Sequence, residues 1–204
     1  MPKSGDYYDD VAQESVGLQW NQFPVKVFED SPPGEWQRTT QKAIDDLQEI
    51  FPLQLVTTRD RADIVLGWNK LPKNSDGSQP AGVEHDVMEV VKENGEVVRR
   101  SKRSFITLDI SRRWSKDEMR ATVVHEMGHA LGIKGHSSNH KDMMFPEEVE
   151  IVTESKAPQD LSHPDMVAPS SVDVRSWVST KISQRDINTL IRLYNRAGPL
   201  RLLR

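Results

Sequence analysis

The stretch Ser115-Lys-Asp-Glu-Met-Arg-Ala-Thr-Val-Val-His125-Glu-Met-Gly-His129-Ala-Leu-Gly132 decides how the rest of this 204-residue chain is read. Ser115 with Glu118 three residues on has the form of a capping box: the hydroxyl accepts from the N3 backbone N–H while the carboxylate reaches back. A helix is therefore predicted from Ser115 to about Gly132, the residue type at which a helix readily stops. Inside it His125 and His129 stand at i and i+4, one turn apart on one face, so two imidazoles can hold one metal ion. Glu126 is turned by about 100° around the helix axis. There it can flank a metal and reach a metal-activated water without being a ligand. His136 follows Gly132 by four residues, within reach of the same ion. Three neutral histidines with one open position make the catalytic, rather than the structural, kind of zinc site. The plainer reading is a solvated helix face that carries two histidines; the capped helix, the stop at Gly132 and the nearby His136 count against it.

Working outward, Phe23-Pro-Val-Lys-Val-Phe28 alternates like a short strand, and Ser31-Pro-Pro-Gly34 marks a turn. Trp36, Thr40, Ala43, Ile44, Leu47 and Phe51 recur at helical spacing, which predicts an amphipathic helix over about Glu35 to Ile50, ended by Pro52. Leu53–Thr57 and Ala62–Trp68 read as strands, the second apolar enough to be buried. Residues 70–82 form a loop. Val83–Val91 and Val97–Leu108 are strand-like, and Glu93-Asn-Gly95 between them is a hairpin signal. Residues 133–182 show little periodicity and read as a long loop. Ser183-Gln-Arg-Asp186 looks like a helix start, followed by the stripe Ile187, Leu190, Ile191, Tyr194 and a stop at Gly198-Pro199. Five strands and three helices in this order imply one mixed sheet with helices packed on it, an α+β architecture.

Composition narrows the function classes. The formal net charge is −4, with no strongly basic domain of the kind that binds nucleic acid; the basic run Arg99 to Arg103 reads as a solvated strand edge. There is no cysteine, which excludes disulfides, thiolate zinc sites and a cysteine nucleophile. No apolar run approaches the roughly 20 residues of a membrane span. Residues 1–19 are acidic and polar without a signal-peptide core; they are expected to be a flexible N-terminal segment, made without a signal or left after trimming. Asp6, Asp9, Asp10 and Glu14 in it could approach a metal as a latency device.

The motif His125-Glu-Met-Gly-His-Ala-Leu-Gly132, the nearby His136-Ser137 and Asp142-Met-Met-Phe-Pro146 resemble the metzincin clan of zinc endopeptidases, in particular its matrixin-like bacterial members. The opening strand, the Trp36 helix, Ala62–Trp68 and Ile182–Leu190 fit the same pattern, so the resemblance covers most of residues 20–196. It implies a twisted five-stranded mixed sheet with two main helices packed on it, a zinc site in a cleft, and a smaller C-terminal part ending in a helix. Residues 20–204 would form a single catalytic domain, with sheet and active-site helix in 20–132 and third ligand, Met-turn, loop and last helix in 133–204. The family's usual third histidine comes three residues after the glycine, where this chain has Gly135; His136 comes one later. His140 is the nearest substitute. A downstream carboxylate such as Glu148 is disfavoured, because that arrangement wants a helix and Pro146 opposes one.

By the same resemblance Met144 is the methionine beneath the zinc, where core filling is the plain alternative for either Met143 or Met144. The activity implied is hydrolysis of peptide bonds in proteins, by a metal-activated water with Glu126 as general base and one zinc ion held by His125, His129 and His136. An extended peptide would pair with an edge strand, here the Val83–Val91 run, touching Val87, Met88, Phe145 and Pro146, with the residues after Pro146 walling a specificity pocket. His85 reads as an exposed or satisfied strand histidine, and His163 as a loop residue. Calcium is possible, but no EF-hand-type loop indicates it. A monomer acting on protein or peptide substrates is expected, with no nucleic acid and no membrane span. The resemblance leans towards a secreted or periplasmic protein. The alternative is a non-catalytic zinc-binding interaction or sensor module on the same fold.

Overall fold

Strands β1 (Val25–Glu29), β2 (Leu53–Leu55), β3 (Ile64–Asn69), β4 (Gly82–Glu93) and β5 (Glu96–Asp109) make one mixed sheet in the order β2-β1-β3-β5-β4. The computed structural model describes residues 5–12, 15, 19–30, 34–93, 96–146, 149–152, 173–176 and 181–197. Strand β1 pairs parallel with β2 and β3, and β3 pairs parallel with β5. Parallel neighbours need a crossover, and helix α2 (Gln37–Gln48) supplies the one between β1 and β2. Ile64, Val65 and Leu66 are all buried, as an inner parallel strand requires. Only β4 runs antiparallel, from the pair Gly82–Leu108 to the pair Glu93–Glu96. That leaves β4 at the edge of the sheet.

Helix α2 buries Thr40, Ala43, Ile44 and Leu47, the predicted stripe. It starts later than the stripe implied, because Gly34–Trp36 winds as a 3-10 turn. Helix α3 (Lys116–Ala130) buries residues on nearly every side, from Met119 through Val123, Val124 and Met127 to Ala130. It is the central helix, enclosed by sheet and neighbours rather than laid on a surface. Helix α4 (Gln184–Ala197) closes the unit with Leu190, Leu193 and Tyr194 in the core.

Two expectations change. Of the supposedly flexible lead-in, Tyr7, Tyr8 and Val11 are core residues, and Tyr8–Val11 forms a single helical turn, α1. Polar composition concealed this because three bulky residues, Tyr7, Tyr8 and Val11, are enough to anchor a segment that is otherwise largely polar in sequence. The stretch read as one long loop holds a small unit, Glu147–Trp177, in which β6 (Val149–Val152) and β7 (Asp173–Ser176) pair antiparallel. Four-residue strands are too short for a periodicity window to register. Among the described residues no helix is long and apolar enough to cross a membrane.

Candidate metal centre

Helix α3 is built as its sequence implies at both ends. Ser115 Oγ accepts from the Glu118 N–H at 3.1 Å, and Glu118 Oε2 accepts from the Ser115 N–H at 2.9 Å. At the far end Gly132 has φ 101°, its N–H reaches the His129 carbonyl at 2.9 Å, and the Ile133 N–H reaches the Gly128 carbonyl at 3.0 Å. This is a Schellman stop, which a left-handed glycine permits. The next carbonyls are used as well: Ala130 accepts from Trp20 Nε1 at 2.9 Å and Leu131 from the Tyr194 hydroxyl at 2.7 Å.

The stop turns the chain back, and His136 returns to the face carrying His125 and His129. One ring nitrogen from each of the three lies within 4.8 Å of the others. The ring centroids are 4.8–5.2 Å apart. His125 Nδ1 is 2.9 Å from the Met143 carbonyl, and His129 Nδ1 is 2.7 Å from the Ile133 carbonyl. A carbonyl only accepts, so each Nδ1 carries the hydrogen and each Nε2 keeps a lone pair. Burial pushes the His125 pKa down to about 4, with the Met143 carbonyl opposing. His129 is pushed down to about 3, by burial first and the neighbouring His125 second. Both rings are therefore neutral at ordinary pH, the form that binds a metal ion. Three converging ring nitrogens, two of them with tautomers set by backbone partners, fit a zinc ion by donor chemistry.

Glu126 is buried beside the first residue of β4. A Cβ on Gly82 would lie 2.8 Å from Glu126 Cγ and 3.0 Å from its Oε1, so only glycine lets the strand pass here. Gly128 plays the same part underneath: a Cβ there would overlap the Met144 sulfur. Met143 and Met144 are both buried. The turn that holds them is tied back by the Ser137 N–H on the Met144 carbonyl at 2.8 Å. Val87 and Met88 are 45% and 48% exposed on the edge strand, and Phe145 and Pro146 are half-buried after the turn. His85 stacks on Phe105 with centroids 5.3 Å apart, and His140 meets Phe145 edge-on at 6.5 Å; neither joins the cluster. His163, Glu148 and most of the expected pocket wall lie outside the described residues.

Two supporting carboxylates had no role in the sequence reading. Asp186 accepts from the Met143 N–H at 3.0 Å, the Ser183 N–H at 2.6 Å and the Tyr7 hydroxyl at 2.7 Å. Its burial outweighs these bonds and raises its carboxyl above the usual range. Asp142, fully buried, accepts from Ser137 Oγ at 2.6 Å and from Arg185 Nε at 3.1 Å. Asp142 opens the stretch Asp142-Met-Met-Phe-Pro146 and Asp186 is the fourth residue of a helix start, but neither pattern shows these bonds; the hold of Asp186 on Met143 spans 43 residues. Asp6 and Asp9, considered for the metal, instead bond Arg192 at 3.0 and 2.9 Å.

No curated protein matches the chain. Residues 18–172 match the family model described as Matrixin, a stretch that takes in the five-stranded sheet, helix α3 and the three clustered histidines. With most of its length matched, and with the mixed sheet and central helix in place, the chain belongs to the matrixin family of zinc-dependent endopeptidases.

Proposed function

We propose that the protein cleaves peptide bonds within an extended protein segment, with zinc held by His125, His129 and His136 and Glu126 as the general base. Held there, zinc would polarise the carbonyl as a Lewis acid and lower the pKa of the attacking water. The Glu126 carboxylate takes the water proton and later delivers it to the leaving amine. Its place one residue after His125 would let it reach a water on the metal without joining the ligand set. Met144, seated against Gly128, would form the floor under the histidines.

The substrate is proposed to add a strand to the open edge of β4, where backbone pairing demands little of the sequence. Val87, Met88, Phe145 and Pro146 are its proposed contacts. Gly82 links the two functions, because the same strand end that would line the substrate rests on Glu126. The observation that carries the proposal is the convergence of three ring nitrogens, one of them from outside the helix.

The test is a zinc measurement on the purified chain followed by a digest of casein or a quenched peptide, with and without chelator. One zinc per chain and chelator-reversible cleavage are expected. Glu126→Ala should keep the zinc and lose the cleavage, and full turnover in that variant would remove Glu126 from the mechanism. Zinc without cleavage of any peptide would favour the non-catalytic module.

A further inference from the structure

We propose that Lys134 is a positioning residue for the third ligand, clamping the His136 loop between the edge strand and the N-terminal segment; this rests on the zinc reading above. The loop from Gly132 to His136 is one residue longer than the spacing usual in the resemblance drawn from the sequence, and a longer loop has more freedom to lose. Lys134 restricts it from two directions. Its Nζ lies 2.5 Å from Glu84 Oε2 and 2.8 Å from Asp86 Oδ2, both on β4. Its backbone N–H donates to Ser15 Oγ at 3.1 Å, and Ser15 Oγ donates in turn to the Val11 carbonyl at 2.7 Å.

The neighbours of Lys134 are held too. A Cβ on Gly135 would come within 3.0 Å of Val11 Cα, so the loop runs flush against the N-terminal segment at the position before His136. On the other side, Ser137 is tied to Met144. His136 thus sits between two pinned residues while remaining exposed itself.

The ionic half of the clamp is buried and balanced. Lys102 Nζ lies 3.2 Å from Asp86 Oδ1, reaches the Ala130 carbonyl at 3.1 Å and stands 4.7 Å over the Trp20 ring. Ser104 Oγ donates to Glu84. The side chains of Glu84, Asp86, Lys102 and Lys134 are between 5% and 17% exposed. Two acids and two cations sharing so dry a site cannot spare one partner. Glu84 and Asp86 belong to the edge strand and Lys134 to the ligand loop. The pairing therefore sets where His136 stands relative to the strand proposed to bind substrate.

The experiment uses the full chain and reads the zinc dissociation constant by chelator competition, together with the visible spectrum of the cobalt-substituted protein. The variant is Lys134→Met with Glu84→Gln, which removes one charge of each sign and leaves Lys102 paired with Asp86. Groups that orient ligands are worth roughly 10–100-fold in metal affinity. A weakening of that order with an altered cobalt band is expected, while Lys134→Arg alone, which keeps the charge beside Glu84 and Asp86, stays near wild type in both. A folded double variant with wild-type affinity and spectrum would overturn the clamp. Should the double variant not fold, Ser15→Ala removes the acceptor of the Lys134 N–H and reads the same two quantities, with unchanged values again overturning it. His136→Ala separates the two readings. If it weakens zinc and the clamp variants do not, only the clamp fails; if wild type takes up no zinc, the metal reading fails and the clamp with it.

Discussion

The N-terminal donors of helix α3 and the carbonyls of Gly128 and His129 are met by neighbours in sequence, whereas Tyr7 and Trp20 are held by distant parts of the chain. In α3 the N-terminal donors are met by Ser115 and Glu118, and the turn at Gly132 takes up the first free carbonyls. In the segment the Tyr7 N–H is held by Thr189 Oγ1 at 3.1 Å, the Tyr7 hydroxyl by Asp186, and Trp20 Nε1 by Ala130. Those partners are 182, 179 and 110 residues away in sequence. The two regions meet at the loop carrying His136. A centre whose chemistry sits on one well-marked helix thus leans on residues that distant partners hold in place. A change in α3 should act at the site or on the helix alone, and a change in the segment should act on the whole fold.

The largest expected effect is on the helix. Glu126→Ala should lower peptidase turnover by about 10²–10⁴-fold, the usual worth of a positioned base, with unfolding in urea little changed; equal losses of activity and stability would blur the comparison. Next comes the segment. Tyr7→Phe removes a buried donor to a carboxylate, a bond of the class worth about 1.5–3 kcal/mol. The urea midpoint should fall as one cooperative transition, and no shift would mean the segment is not anchored. Gly132→Ala should cost about 1–2 kcal/mol, the strain of a side chain at positive φ, seen in the same unfolding curve. Ser115→Ala should cost about 1 kcal/mol as a lost cap.

The smallest effect is in pH. Burial would raise the Glu118 carboxyl, but the bonds from Ser115 and the Arg112 charge outweigh it and hold its pKa below the usual value. A carboxyl lowered in the folded state adds stability above its unfolded pKa, and that contribution fades as pH falls through the folded value. The stability gap between wild type and Glu118→Gln should therefore narrow on acidification, as measured by urea midpoints from neutral pH to about pH 3, within the range where unfolded glutamate titrates. A gap that widens towards acid would contradict the capping assignment.

The sequence by itself determined what lies within a turn or a strand of its own cause. The capping box at Ser115, the stop at Gly132, the shared face of His125 and His129, the buried run Ile64–Leu66 and the β4–β5 hairpin all follow from residues a few positions apart. These interactions need no partner from elsewhere, so periodicity and cap chemistry suffice to read them. The tertiary structure alone decided the rest. Spacing and resemblance could name the Val83–Val91 edge, His136 and Met144 only as expectations; folding set β4 at the edge, brought the His136 ring nitrogen to the helix and seated the Met144 sulfur against Gly128, and it buried Tyr7 against Asp186 with no forewarning. Each of these is a contact between residues far apart in the chain, and its energy exists only once the intervening chain has been folded against the entropy of closing it. A local pattern carries no trace of the contact between Tyr7 and Asp186.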